Sequence, residues 1–176
     1  MHPLMLHPGC GPGPIQAVTA DIFATASGCD VEYRIEGDIG AIRLPESGPS
    51  VRTDGLWKTT CFEFFWRPIG GEAYREFNLS PSGRWAAYGF DCYREGMREA
   101  PVDAIAVASS HHVSGGQGEL VLKASIAAGL DDPARVAMTA VIENADGAVQ
   151  YWSLAFPPGK PDFHSEICRQ LVVERG

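Results

Sequence analysis

The chain has 176 residues, 45% hydrophobic and 20% charged, the balance of one ordinary globular domain, which excludes a disordered chain. Its 22 acidic and 14 basic residues leave a formal net charge of −8, so neither nucleic acid nor an anionic membrane surface is an expected partner, both requiring a basic face. No apolar run is long enough to cross a bilayer, the first residues lack a basic stretch followed by an apolar one, and the expected compartment is the cytoplasm.

Along the chain, Pro8-Gly9-Cys10-Gly11-Pro12-Gly13-Pro14 reads as a turn or linker; its prolines remove the backbone donors a phosphate loop would need. Two strands follow, Ile15 to Ala26 and Cys29 to Glu36, joined at Ser27-Gly28. The second alternates cleanly, with Val31, Tyr33 and Ile35 on one side and Glu32, Arg34 and Glu36 on the other. A short strand is predicted around Ala41 to Leu44, then a polar loop to Gly55.

The middle predicts a three-stranded meander: Thr59 to Arg67, Tyr74 to Ser80 and Arg84 to Phe90, broken at Gly70-Gly71 and Pro81-Ser82-Gly83. Beyond it, strands are predicted over Ala104 to Val113, Glu119 to Ala127, Arg135 to Asn144 and Val149 to Leu154. The Asp146-Gly147 pair marks a hairpin between the last two. The tail holds a short helical turn near Phe163 to Cys168 and a last strand, Gln170 to Val173. Nothing carries a long helical stripe; Tyr93 to Ala100, the best rival, is barely two turns. Many short strands separated by regular turn signals imply an all-β, two-sheet antiparallel sandwich in a single domain over residues 1–176.

Strand parity then assigns faces. Phe62, Phe64, Trp66, Phe77 and Leu79 form a core face, which places Glu63 and, from the next strand, Tyr74, Glu76 and Asn78 on the opposite face. Carboxylates and an amide are directional partners for hydroxyl groups. Trp57, just before the first of these strands, offers a ring on which the C–H face of a sugar can pack. The plainer alternative is a solvated polar strand face on which Glu63 neutralises Arg75 or Lys58. A pair of carboxylates also permits general acid and base work, as in a glycosidase, which requires a precise separation and a deep pocket that the sequence does not display.

The five cysteines are odd in number and form no CxxC pair, so a structural zinc site is not expected. His111 and His112 are adjacent on a strand and face opposite sides, and so do not share a metal. His164, in the compact turn Pro161-Asp162-Phe163-His164, is expected to make a structural hydrogen bond. Haem bound noncovalently is the alternative cofactor, with axial ligands drawn from Met97, His111, His112, His164 or Lys123.

Two segments carry a family resemblance: Leu56-Trp57-Lys58-Thr59-Thr60-Cys61-Phe62-Glu63-Phe64-Phe65, and Tyr74-Arg75-Glu76-Phe77-Asn78-Leu79-Ser80-Pro81-Ser82-Gly83-Arg84-Trp85-Ala86-Ala87-Tyr88. They resemble the bacterial DOMON-like proteins, relatives of family 9 carbohydrate-binding modules and of haem-binding DOMON domains. The resemblance implies a β-sandwich that binds a small ligand without catalysis. In the sugar-binding modules a tryptophan stands six residues before a strand glutamate, the spacing of Trp57 and Glu63. Glu76 and Asn78 fall where the next strand's polar pair would be, with Glu76 replacing a common arginine, and Trp152 is the second stacking aromatic by position. The expected function is therefore binding of a carbohydrate-like molecule by Trp57, Glu63, Glu76, Asn78 and Trp152. The alternatives are a haem-binding redox or sensor domain and a small enzyme acting on a sugar-like metabolite.

Overall fold

The computed structural model describes residues 1–175. Its strands are β1 (His2–Leu6), β2 (Ile15–Thr25), β3 (Gly28–Gly37), β4 (Cys61–Pro68), β5 (Tyr74–Leu79), β6 (Trp85–Phe90), β7 (Arg98–Glu99), β8 (Ala104–Ser114), β9 (Gln117–Ala127), β10 (Ala134–Glu143), β11 (Val149–Ser153) and β12 (Leu171–Val173). The only helical elements among the described residues are three-residue 3-10 turns. The fold is all-β, as the turn spacing predicts.

Every strand pairing is antiparallel, and one hydrogen-bonded path runs β7-β6-β5-β4-β10-β11-β1-β2-β3-β9-β8, with β12 added to the start of β10. The sheet curls into two layers, and β1 is the seam. Its first half pairs with β2 through His2, Pro3 and Leu4, and its end pairs with β11 through Met5 and Leu6. One layer is β4 to β7 with β10 and β11; the other is β2, β3, β8 and β9. The interior between them contains the predicted inward rows of both, Phe62, Phe64, Trp66, Phe77 and Leu79 facing Val31, Tyr33 and Ile35. Phe64 and Phe77 are cross-strand partners with rings stacked 4.5 Å apart. Tyr33 reaches across from the opposite layer and donates to the Glu63 carbonyl at 2.6 Å, so the fully buried phenol has its partner.

Three local expectations change. Around Ala41 there is a 3-10 turn, Ile39–Ala41, capped by the Asp38 carboxylate accepting from the Gly40 amide, and Ile42 forms an isolated antiparallel bridge to Asn144, just past β10. β1 was not expected. It is short and carries Pro3, and it is a strand only because two distant edges flank it. The predicted helical turn in the tail is confined to Glu166–Cys168, with the Ser165 hydroxyl accepting from the Ile167 amide.

Candidate functional site

The outer face of β4, β5, β6, β10 and β11 is not a solvated sheet face. It carries a second apolar layer that includes Phe65, Tyr74, Tyr88, Phe90, Val141, Phe163 and Cys168. The segment from Phe156 to Arg169 crosses over it as a roof, and the 3-10 turn Leu56–Lys58 closes one side. Gly55, at φ 77°, makes the left-handed turn that lifts the chain into this position. Between roof and sheet lies a pocket of about 370 Å³. Glu63 and Glu76 are in its floor, Phe90, Val141 and Tyr151 in its walls, Phe163 and His164 in its roof, and Trp57, Arg94 and Met97 at its rim.

β4–β5 register explains the floor. Glu63 stands opposite Asn78, and Phe65 opposite Glu76, so the two carboxyls are diagonal neighbours on adjacent strands. Both are buried, at 3% and 6% exposure. Arg75 cannot neutralise them: it is the partner of Trp66 on the other face and donates to the Ala128 carbonyl. Instead the Asn78 amide donates to Glu76 Oε1 at 3.0 Å, and Glu63 Oε1 has no partner among the described residues.

The roof is held by a polar chain. The Arg94 backbone N–H donates to the Tyr74 hydroxyl at 3.1 Å, which lies 2.8 Å from His164 Nδ1. Which of the two donates follows the imidazole tautomer, and we assign the Tyr74 hydroxyl as the donor to Nδ1. The imidazole proton then sits on Nε2, which faces Glu76 Oε2 at 3.6 Å. Arg94 adopts φ 57°, a left-handed conformation uncommon away from glycine. Its guanidinium donates to Asp162 Oδ1 at 2.8 Å, and Tyr93 donates to Oδ2 at 2.6 Å. Loop 91–97 and the roof are thus tied together beside the pocket.

Burial governs the charges. Desolvation, then the neighbouring Glu76, holds the Glu63 carboxyl well above the usual carboxylate range. Desolvation raises Glu76 to about 7, against the opposing effects of the Asn78 hydrogen bond and the Arg94 charge. Desolvation, followed by the Arg94 charge, lowers His164 to about 4. The imidazole is therefore neutral at neutral pH, and the 3.6 Å approach to Glu76 is a dipolar contact, not an ion pair.

The structure brings Trp57, Glu63 and Glu76 to one pocket, with Asn78 behind Glu76 as its hydrogen-bond donor. Trp57 is 39% exposed and packs edge-on against Tyr88, whose hydroxyl donates to Asp54. Trp152 is not with them. It pairs with Ala140 and is buried in the core between the layers, because the face shared with Glu63 belongs to the odd-numbered residues of β11. Tyr151 occupies the wall position instead. Sequence reasoning also missed Phe90, Val141, Phe163 and Arg94. Phe90 follows from the parity of β6, whereas the others depend on long-range register or on the roof.

Haem does not fit these residues. His111 and His112 are exposed on β8, and Lys123 on β9 pairs with Glu32 at 3.1 Å. Met97 and His164 do border the pocket; His164 Nδ1 is hydrogen-bonded to Tyr74, and Nε2 stands 3.6 Å from the Glu76 carboxyl. Two buried carboxyls would also stand against an apolar porphyrin face.

No protein-family model and no curated protein sequence matches the chain. Among solved structures, it is similar to a proposed carbohydrate-binding protein from Bacteroides uniformis. The TM-score is 0.67 at 18% identity, over 98% of this chain and 85% of that one. The likeness extends over nearly the whole chain and establishes a shared fold.

Proposed function

We propose that this protein is a noncatalytic binder of a small carbohydrate-like ligand, held in the pocket between β4–β5 and the roof. The observation that carries the reading is Glu63 Oε1, a buried carboxyl oxygen with no protein partner among the described residues, in the floor of a pocket whose rim presents a half-exposed tryptophan. Leaving such an oxygen unpaired costs roughly 1–3 kcal/mol, and a ligand hydroxyl recovers it. The neutral Nε2–H of His164 adds a donor, Glu76 an acceptor, and Trp57 a stacking face. The resemblance of Leu56 to Tyr88 to the DOMON-like and family 9 binding modules supports the same assignment, as does the nature of the Bacteroides neighbour.

Calorimetry against a panel of neutral and aminated monosaccharides tests it. Saturable binding that weakens in Trp57→Ala and Glu63→Gln is the expected result; no binding by any member overturns it. Two buried carboxyls on adjacent strands of one pocket favour a second reading, an enzyme acting on a sugar-like metabolite, with Glu76, raised to about 7 by desolvation, as the general acid. Turnover of aryl glycosides that is lost in Glu76→Gln would establish it, and no turnover in the unmodified protein would remove it.

A further inference from the structure

The floor of the pocket has an excess of acid that a neutral ligand does not answer. Two buried carboxyls lie on adjacent strands, and neither forms an ion pair with a lysine or arginine among the described residues. Neither nearby guanidinium is bonded to them, though Arg169 is buried with its Nε and Nη2 unpartnered among the described residues. Arg94 at the rim is bonded to Asp162. Arg169 stacks its guanidinium 4.6 Å from the ring centre of Tyr74, on the roof side. His164 places Nε2 3.6 Å from Glu76, and burial keeps its imidazole neutral.

A buried carboxylate is stable only when paired and hydrogen-bonded. In the empty pocket burial keeps these acids toward their protonated forms, and a sugar hydroxyl offers Glu63 a hydrogen bond but no charge that would ionise it. An ammonium group offers several N–H donors and the charge together, to Glu63 and Glu76 at once. The surroundings suit a cation as well. Phe90, Tyr151, Phe163 and Trp57 present aromatic surfaces around the carboxyls, and ring faces attract cations. The whole chain, at −8, also draws cations toward it.

We infer that the ligand is an aminated sugar, its ammonium group seated on the Glu63–Glu76 floor and its ring against Trp57. This rests on the carbohydrate reading above and narrows it.

Matched pairs test the inference: glucose with glucosamine, galactose with galactosamine and mannose with mannosamine, each amine also in its N-acetylated form, measured by calorimetry on the full chain. One amine should bind roughly tenfold or more tighter than both its neutral parent and its N-acetyl form, a difference of about 1.4 kcal/mol. In Glu63→Gln the preference should shrink toward unity while the neutral parent still binds. A thermal-unfolding curve for that variant confirms that it is folded. Equal or tighter binding of the neutral sugars overturns the inference and leaves the carbohydrate reading standing. Choline bound more tightly than any sugar overturns both, as does failure of every probe to bind.

Discussion

Glu63 and Asn78 are register partners on β4 and β5, yet the Asn78 amide donates to Glu76 and leaves Glu63 Oε1 unpaired. The asymmetry divides the work of the floor. Asn78 is fully buried and positions Glu76; Glu63 presents a free acceptor to whatever enters. Asn78→Ala should therefore raise Glu76 further above about 7, because the hydrogen bond it removes favours the charged form. Carbon-13 titration of the glutamate carboxyls reads the shift, and an unchanged Glu76 would show that Asn78 does not tune it.

Stability should depend on pH through the same pair. Glu76 is raised from its ordinary 4.5 to about 7, so the folded state holds this proton more tightly than the unfolded chain. Its contribution is fully present below about pH 4.5 and is lost as pH rises through about 7. Glu63, also raised, acts in the same direction. His164 acts oppositely: lowered from 6.5 to about 4, its contribution is present above pH 6.5 and lost as pH falls through about 4. Urea unfolding from pH 5 to 8 should give a curve for Glu76→Gln that falls less steeply than wild type, by roughly 2–3 kcal/mol over the range. The slope is the readout, not the absolute stability; parallel curves would refute the buried-acid account.

The Tyr74–His164 hydrogen bond, with the hydroxyl assigned as donor, implies one tautomer. Nitrogen-15 NMR should show His164 protonated at Nε2 and bare at Nδ1 near neutrality, with imidazolium appearing only toward pH 4. Tyr74→Phe removes the donor to Nδ1 and the acceptor for the Arg94 N–H. It should cost about 1–3 kcal/mol and release the tautomer preference. A His164 that titrates near 6.5 in the unmodified protein would contradict the assignment.

Two tryptophans should separate binding from folding. Trp57→Ala removes a half-exposed ring at the rim and should leave unfolding nearly unchanged while weakening sugar binding by roughly tenfold. Trp152→Ala opens a void between the layers and should cost about 3–5 kcal/mol. Trp152→Phe, gentler on packing, should leave affinity unaltered. Affinity lost in Trp152→Phe with stability intact would return Trp152 to the site.

Much of this protein was legible locally. Alternation assigned Phe62, Phe64, Trp66, Phe77 and Leu79 to one face and Glu63, Glu76 and Asn78 to the other, because side chains of a strand point to opposite faces at every step. The Pro81-Ser82-Gly83 turn and the Asp146-Gly147 hairpin bound their strands for the same local reason, residue-specific backbone preference. β1 was invisible because its five residues owe their conformation to β2 and β11, one on each side.

The choice between Tyr151 and Trp152 shows where local reasoning stops. Parity within β11 says only that the two point oppositely; which one shares a face with Glu63 depends on β10 pairing with β4, some seventy residues away. The sequence by itself determined the class of fold and which carboxyls lie together, because those follow from the period of a strand and the chemistry of its turns. Only the tertiary structure decided that the segment from Phe156 to Arg169 roofs that face, that the acids are buried and that Trp152 belongs to the interior. Each of these depends on which distant segments meet, and one chain's alternation carries no information about its neighbours.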